Sequence, residues 1–240
     1  MKIPIIHGII DRRILVNYVV DPAVVEKLLP KPFKPKIYSG KAIVGICLIR
    51  LKNIKPKGLP DFIGVNSENG AHRFAVEWEE DGQLKEGVFI PRRDTNLRLN
   101  SLVGGRFFSG KHYYAKFNVI EDANQFHEDF LSSDHTTLAI DAKRSTEFNS
   151  NSIFKSMDEV SKFFEKGSIG YSPKGNDLEG LKLNTYSWNV KPLEVTQVRS
   201  SYFENETLFP KGSIQFDNAI LMENIEHEWQ PIKSINHSCL

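Results

Sequence analysis

The chain has little of what marks a secreted, membrane-embedded or nucleic-acid-binding protein. Its 240 residues include only two cysteines, Cys47 and Cys239, so a disulfide framework is excluded. The 31 basic and 30 acidic side chains nearly cancel, which leaves no net charge to attract a polyanion. No apolar run has the length of a membrane span, and the N-terminal residues lack the apolar core of a signal peptide. The composition therefore predicts a soluble, cytoplasmic protein that binds neither a membrane nor a nucleic acid.

The motifs of the common cofactor and nucleophile sites are also missing. There is no Gly-x-Gly-x-x-Gly or Walker loop, and no Gly-x-Ser-x-Gly elbow. His127 and His135 have acidic neighbours but lack the close spacing of metal ligands, so we interpret that segment as an exposed acidic loop. Cys47 lies in the apolar run AIVGICLI and is interpreted as a small buried residue. The sequence predicts no metal and no cofactor.

Runs of β-branched and aromatic residues dominate the rest of the chain. They occupy residues 13–20, 42–51, 73–80, 112–120, 181–190 and 212–229. In the third run, Phe74 and Trp78 alternate with Arg73 and Glu77, which is the pattern of a half-buried strand. The alternation of the fourth run places Tyr113 on one face and His112 on the other.

Two short helices interrupt the strands. In DPAVVEKLLP, Asp21 is the expected N-cap and Pro30 the stop, and in SMDEVSKFFEKG Ser156 and Glu159 have capping-box spacing. Many strands and few helices predict a mainly β, β-rich α+β fold built as an antiparallel barrel or curled sheet. A boundary near residue 150 is conceivable, but we expect one domain over residues 1–240.

Three segments carry a resemblance to the acetoacetate decarboxylase superfamily. The segment RRILVNYVVDPAVVEKLLPKPFKP (12–35) resembles its opening strand and the short helix closed by two prolines. NSENGAH (66–72) resembles its glutamate-containing turn, and GRFFSGKHYYA (105–115) resembles the segment that carries its paired lysines. The chain is most similar to the uncharacterised DUF2071 (YqjF-like) branch. The resemblance implies a double-sheet β-barrel or cone that encloses a ligand cavity.

The resemblance also raises the question of the catalytic lysine. In acetoacetate decarboxylase, a lysine beside a second lysine forms an imine with a 3-oxo acid. An ungapped comparison places Tyr113 and Tyr114 where the paired lysines belong, and no acid stands where the family has a second glutamate. If the strand's alternation extends back two residues, Lys111 shares the face of Tyr113, about 7 Å away, and its long side chain could reach the family position. A solvated Lys111 is the favoured interpretation.

These positions define the candidate catalytic and substrate-binding residues. Glu68 matches the family's pocket glutamate, so Glu68 and Tyr113 are candidate acid/base groups, with Lys111 as a third candidate. Arg106 and Arg73 are candidates for binding a substrate carboxylate, although each could instead form a structural salt bridge. Arg13 could supply the family's pocket arginine after a shift in register, and so could Arg12.

Three functions are consistent with these residues. The first is a non-imine enzyme that holds a small organic acid or carbonyl compound in a barrel cavity. The second is a non-catalytic protein that binds such a ligand, and the third is a structural or interaction module that forms a homo-oligomer. Imine-type decarboxylation through Lys111 is the least favoured reaction, because the paired lysines are replaced.

Overall fold

A computed structural model describes residues 4–97 and 110–236 of the chain. The described residues form thirteen β-strands, two α-helices and a 3-10 turn at Asp61–Ile63. The helices are α1 (Pro22–Leu28) and α2 (Met157–Glu165). The strands are β1 (Ile6–Val20), β2 (Lys34–Pro35), β3 (Ile37–Tyr38), β4 (Lys41–Pro56), β5 (Val65–Glu80), β6 (Gln83–Thr95), β7 (His112–Glu121), β8 (Gln125–Ser132), β9 (Thr137–Arg144), β10 (Ile169–Lys174), β11 (Asp177–Thr185), β12 (Lys191–Ser200) and β13 (Ile214–Asn236).

All thirteen strands belong to one sheet that closes on itself twice. The order β13–β1–β4–β5–β6 forms an antiparallel central sheet. On one side, β10 and β11 connect β6 back to β13. On the other side, β7, β8, β9 and β12 connect the same two strands. The predicted mainly β, barrel-type fold is therefore confirmed, and it consists of two closed circuits that share the central sheet.

This arrangement explains the continuous apolar run of β4. A strand covered on both faces cannot alternate between apolar and polar residues. Ile46 belongs to one hydrophobic cluster and Ile43 to the other, and both side chains are buried. The half-buried pattern predicted for residues 73–80 is wrong for the same reason, since Arg73 and Ala75 are buried as well as Phe74.

Both helices begin where the sequence predicts. The Asp21 carboxylate accepts a hydrogen bond from the Ala23 backbone N–H, and α1 ends at Leu28, two residues before Pro30. The Ser156 hydroxyl oxygen accepts a hydrogen bond from the Glu159 backbone N–H, 3.2 Å away, at the start of α2. The apolar side of α2 packs against the central sheet through Val160, Phe163 and Phe164.

Two segments interpreted as polar loops are strands. Glu68 lies within β5, and the segment around His127 forms β8, in which Phe126, Glu128 and Phe130 are buried. Glu68 and Glu128 both bind Arg12 of β1, a strand that pairs with neither β5 nor β8 and is remote in sequence. The strand predicted over residues 181–190 begins and ends earlier in the structure, where β11 spans Asp177–Thr185.

Strands from both halves of the chain interleave in the sheet, with β13 paired to β1, β11 and β12. The single domain over residues 1–240 stays a prediction. Within residues 4–97 and 110–236, neither helix has the length and apolar character to cross a membrane.

Burial on both faces of β4 can be tested by a pair of matched substitutions. We expect Ile43→Ala and Ile46→Ala each to lower the free energy of unfolding by about 2–5 kcal/mol, because each removes buried methyl groups from a different cluster. Ile120→Ala is the control, since Ile120 is 65% exposed and its loss should cost less than about 0.5 kcal/mol. Urea unfolding measures all three, and a small effect at either β4 position would show that one face of the strand is open.

Candidate functional site

A cavity of about 130 Å³ lies on the face of the central sheet that is covered by β10, β11 and α2. One water molecule needs roughly 10–15 Å³ of such space, so the cavity has room for a small organic molecule. Its walls are mainly apolar, from Leu15, Ile49, Leu51, Ile90, Leu181 and Leu183, with Phe164 and Trp229 contributing aromatic surface.

Three arginines from three strands of the central sheet line this cavity. Arg13 comes from β1, Arg73 from β5 and Arg93 from β6. The Arg13 Nε donates a hydrogen bond to the Cys47 Sγ at 3.3 Å. The Arg93 guanidinium contacts the Ser172 hydroxyl oxygen at 3.5 Å. The cavity thus combines apolar walls with a concentration of positive charge.

Arg73 is the most deeply buried of the three cations, at 3% exposure. Its guanidinium donates to the Asn17 side-chain oxygen and stacks on Phe164, with 4.6 Å between the guanidinium carbon and the ring centre. Its Nε has no hydrogen-bond partner, and among the described residues no carboxylate pairs with it. Burial lowers the Arg73 pKa to about 9, so the group is still charged at neutral pH.

Two further titratable residues border the cavity. Burial and the neighbouring Arg93 lower the pKa of His112 to about 4, so its imidazole is neutral at pH 7. The His112 Nδ1 lies 3.0 Å from the Gly110 carbonyl oxygen, which favours the tautomer whose Nε2 is an acceptor. The Asp94 carboxylate is bound by Arg92 at 2.6 Å and by the Ser132 hydroxyl, and burial nevertheless raises its pKa above the usual value.

The residues predicted from sequence do not share one location. Arg13 and Arg73 both line the cavity. Glu68 points to the opposite face of the central sheet, where it binds Arg12 and Arg50. The substrate-binding roles of Arg13 and Arg73 and the acid/base role of Glu68 stay predictions.

The predicted residues of the lysine segment lie elsewhere. Tyr113 is half-buried, with the Arg92 guanidinium carbon 4.2 Å from its ring centre. Lys111 is exposed, and its Nζ lies 4.9 Å from the same ring centre. Arg106 falls outside the described residues. Neither Tyr113 nor Lys111 is among the residues that line the cavity, and no lysine in the described part of the chain does so.

Three residues that line the cavity, Cys47, Arg93 and His112, and Asn17, which accepts a hydrogen bond from Arg73, were not predicted as site residues. Alternation along the strands contains the necessary signal, because Arg13 and Asn17 are four positions apart on β1 and therefore share a face. Cys47 falls on the cavity face of β4 by the same rule. The position of the cavity on that face depends on β10, β11 and α2, which no local pattern identifies.

The opposite face of the central sheet carries a buried ionic network. Arg12 donates to Glu128 at 2.5 Å, to Glu121 at 2.5 Å and to Glu68 at 3.1 Å. Arg50 also donates to Glu68 and Glu121. Arg12 is 3% exposed and Glu128 is fully buried, so the network joins β1, β5 and β8 inside the protein.

Glu128 is the unusual member of this network. Its Oε2 accepts from Arg12, but its Oε1 has no hydrogen-bond partner. Burial raises the Glu128 pKa to about 7, the charges of Glu68 and Glu121 act in the same direction, and Arg12 opposes them. Glu128 therefore keeps its proton to a higher pH than an exposed glutamate does. Among the described residues, no group of three or more histidine, cysteine or acidic side chains is placed to hold a metal ion.

Comparisons with known proteins agree with this architecture. Residues 10–220 match the model of the DUF2071 family, described as an uncharacterized conserved protein (COG2071). No match is found among curated protein sequences.

Three solved structures share the fold at low sequence identity. The acetoacetate decarboxylase of Legionella pneumophila subsp. pneumophila str. Philadelphia 1 is 12% identical, with a TM-score of 0.63 over 95% of this chain and 87% of that chain. The enduracididine biosynthesis enzyme MppR, complexed with pyruvate, is 8% identical, with a TM-score of 0.60 over 99% and 92%. An acetoacetate decarboxylase-like enzyme from Sphingomonas wittichii RW1 is 10% identical, with a TM-score of 0.57 over 98% and 93%.

The ionic network predicts a specific dependence of stability on pH. The folded state keeps a proton on Glu128 up to about pH 7, whereas the ordinary pKa is 4.5. The folded state therefore binds more protons between these values, and stability falls as pH rises from 5 to 8. The glutamine side chain of Glu128→Gln cannot titrate. We therefore expect the free energy of unfolding of the wild-type protein to fall by roughly 3 kcal/mol more than that of the variant between pH 5 and pH 8. Urea unfolding at both pH values measures the difference, and parallel curves would contradict the assignment.

Proposed function

The chain belongs to the DUF2071 family, and on that premise we propose that it binds a small organic carboxylate in the cavity lined by Arg13, Arg73 and Arg93. The ligand's carboxylate pairs with the guanidinium groups, and its short carbon body contacts the apolar walls. The finding that carries this proposal is the buried cation Arg73, which has no carboxylate partner among the described residues.

The energetics of burial support an anionic ligand. An uncompensated charge in an apolar environment is costly, and that cost is reduced when a carboxylate pairs with it. The guanidinium group matches a carboxylate geometrically, because two parallel N–H groups can bind its two oxygens. The unpartnered Nε of Arg73 and the nearby Arg13 leave donors for such a bond.

The size and chemistry of the cavity narrow the ligand to a small acid. MppR shares the fold and is found in complex with pyruvate, a small oxo acid, which supports this class of ligand. Residues 98–109, outside the described ranges, contain no acidic residue and no lysine. They therefore contain neither a carboxylate that could pair with Arg73 nor a lysine amine for imine chemistry.

Binding is better supported than acid/base catalysis. An efficient general acid or base has a pKa near the working pH. The His112 pKa of about 4 and the Arg73 and Arg93 pKa values of about 9 and 10 all lie well away from 7. These groups can hold and orient an anion but are poorly suited to exchange a proton with it.

The proposal predicts that carboxylate binding depends on Arg13. We expect Arg13→Met to weaken the binding of pyruvate, acetoacetate or butyrate by about 10- to 100-fold, the usual worth of a charge-assisted hydrogen bond. Arg13→Met leaves the buried contact between Arg73 and Asn17 in place. Isothermal titration calorimetry measures the affinities.

The matched control is Arg199→Met, which removes an exposed arginine of β12 that pairs with Glu204. This variant should bind like the wild-type protein. Equal affinities in the Arg13→Met and wild-type proteins, or no binding of any carboxylate by the wild-type protein, would contradict the proposal.

A second prediction concerns imine chemistry. Incubation with acetoacetate or pyruvate followed by borohydride reduction should leave Lys111 unmodified, because this side chain is exposed and does not line the cavity. Peptide mapping by mass spectrometry locates any adduct, with an imine-forming decarboxylase of the same fold as the positive control. A stoichiometric adduct on Lys111 that disappears in Lys111→Ala would overturn this part of the account.

A further inference from the structure

Cys47 occupies a different position from that of an inert core cysteine. It lies on the cavity face of β4, 7% exposed, and its Sγ is 3.3 Å from the Arg13 Nε. Arg73 and Arg93 line the same cavity as Cys47, so two further guanidinium groups are close to the sulfur. A thiol beside positive charge and open to a cavity is the arrangement found at reactive cysteines.

A second observation indicates a ligand beside this thiol. Arg73 is buried, lines the same cavity, and keeps an Nε with no hydrogen-bond partner. A carboxylate held by Arg13 and Arg73 would therefore place the carbon bonded to that carboxylate next to the Cys47 sulfur. Ile49 and Leu183 contribute apolar wall to the same cavity.

We infer that Cys47 is a covalent attachment site for small carboxylates whose electrophilic carbon is bonded directly to the carboxylate, with 2-oxo acids as the class of ligand. This inference rests on the proposed function, since Arg13 and Arg73 must first hold the carboxylate. With a 2-oxo acid, the sulfur adds to the carbonyl carbon, the carbonyl oxygen takes the thiol proton, and no group leaves. The adduct is reversible and requires no oxidant or reductant.

An irreversible probe tests the same geometry. With iodoacetate, the sulfur attacks the methylene carbon, iodide leaves with the bonding electrons, and the thiol proton passes to water. Iodoacetamide has the same leaving group but no carboxylate. The measured quantity is the labelling rate of Cys47 by iodoacetate divided by its labelling rate by iodoacetamide. We expect this ratio to be at least about tenfold higher in the native protein than in urea, because the arginines raise the local concentration of the anionic reagent.

The chain supplies good controls for this experiment. Peptide mapping separates Cys47 from Cys239, whose labelling serves as a reference within the same sample. Arg13→Met should abolish the preference for iodoacetate, Arg13→Lys should restore part of it, and Arg199→Met should leave it unchanged. Added pyruvate should slow labelling of Cys47 by iodoacetate and leave Cys239 unaffected.

Two negative results have different meanings. Calorimetry can show carboxylate binding that depends on Arg13 while Cys47 stays unlabelled, or while its ratio of iodoacetate to iodoacetamide rates is the same as in urea. In that case the covalent site is wrong and the proposed function stands. If calorimetry also shows no binding, both proposals fail.

Discussion

Side chains alternate along β1, so the adjacent residues Arg12 and Arg13 point to opposite faces of the central sheet. This constraint separates the protein into two environments. On one face, Arg12 is surrounded by the carboxylates of Glu68, Glu121 and Glu128. On the other, Arg13 faces a cavity, where its Nε donates a hydrogen bond to the Cys47 thiol.

The two faces also differ in what their charges do. The network around Arg12 satisfies most of its own donors and acceptors and connects strands that are distant in sequence. Breaking such a buried network destabilises a protein, so its primary effect is on the fold. The cavity face carries three arginines, of which Arg73 is buried and has no carboxylate partner among the described residues, and the proposed carboxylate ligand would compensate that charge.

Much of the fold could be predicted from the sequence because it follows from local patterns. The apolar run of β4, the caps at Asp21 and Ser156, and the many strands identify the elements. Strand alternation also separates His112 from Tyr113. The burial of Glu128 could not be predicted, because it depends on the pairing of β8 with β7 and β9 and on an arginine 116 positions away.

The candidate site was predicted only in part for the same reason. The candidate residues Arg13 and Arg73 both line the cavity, but the sequence does not show which face of a doubly covered sheet keeps an open space. That space results from how β10, β11 and α2 cover the central sheet. Glu68 was selected by resemblance to the superfamily, and in this chain it binds Arg12 and Arg50 on the other face.

The most direct test of the central claim is a crystal structure of the protein grown with saturating pyruvate. If pyruvate binds as proposed, its carboxylate oxygens will lie about 3 Å from the guanidinium nitrogens of Arg13 and Arg73. The ligand's methyl group should lie against the apolar wall formed by Ile49 and Leu183. Pyruvate bound on the opposite face beside Glu68 or Tyr113, or a cavity that holds only water, would contradict it.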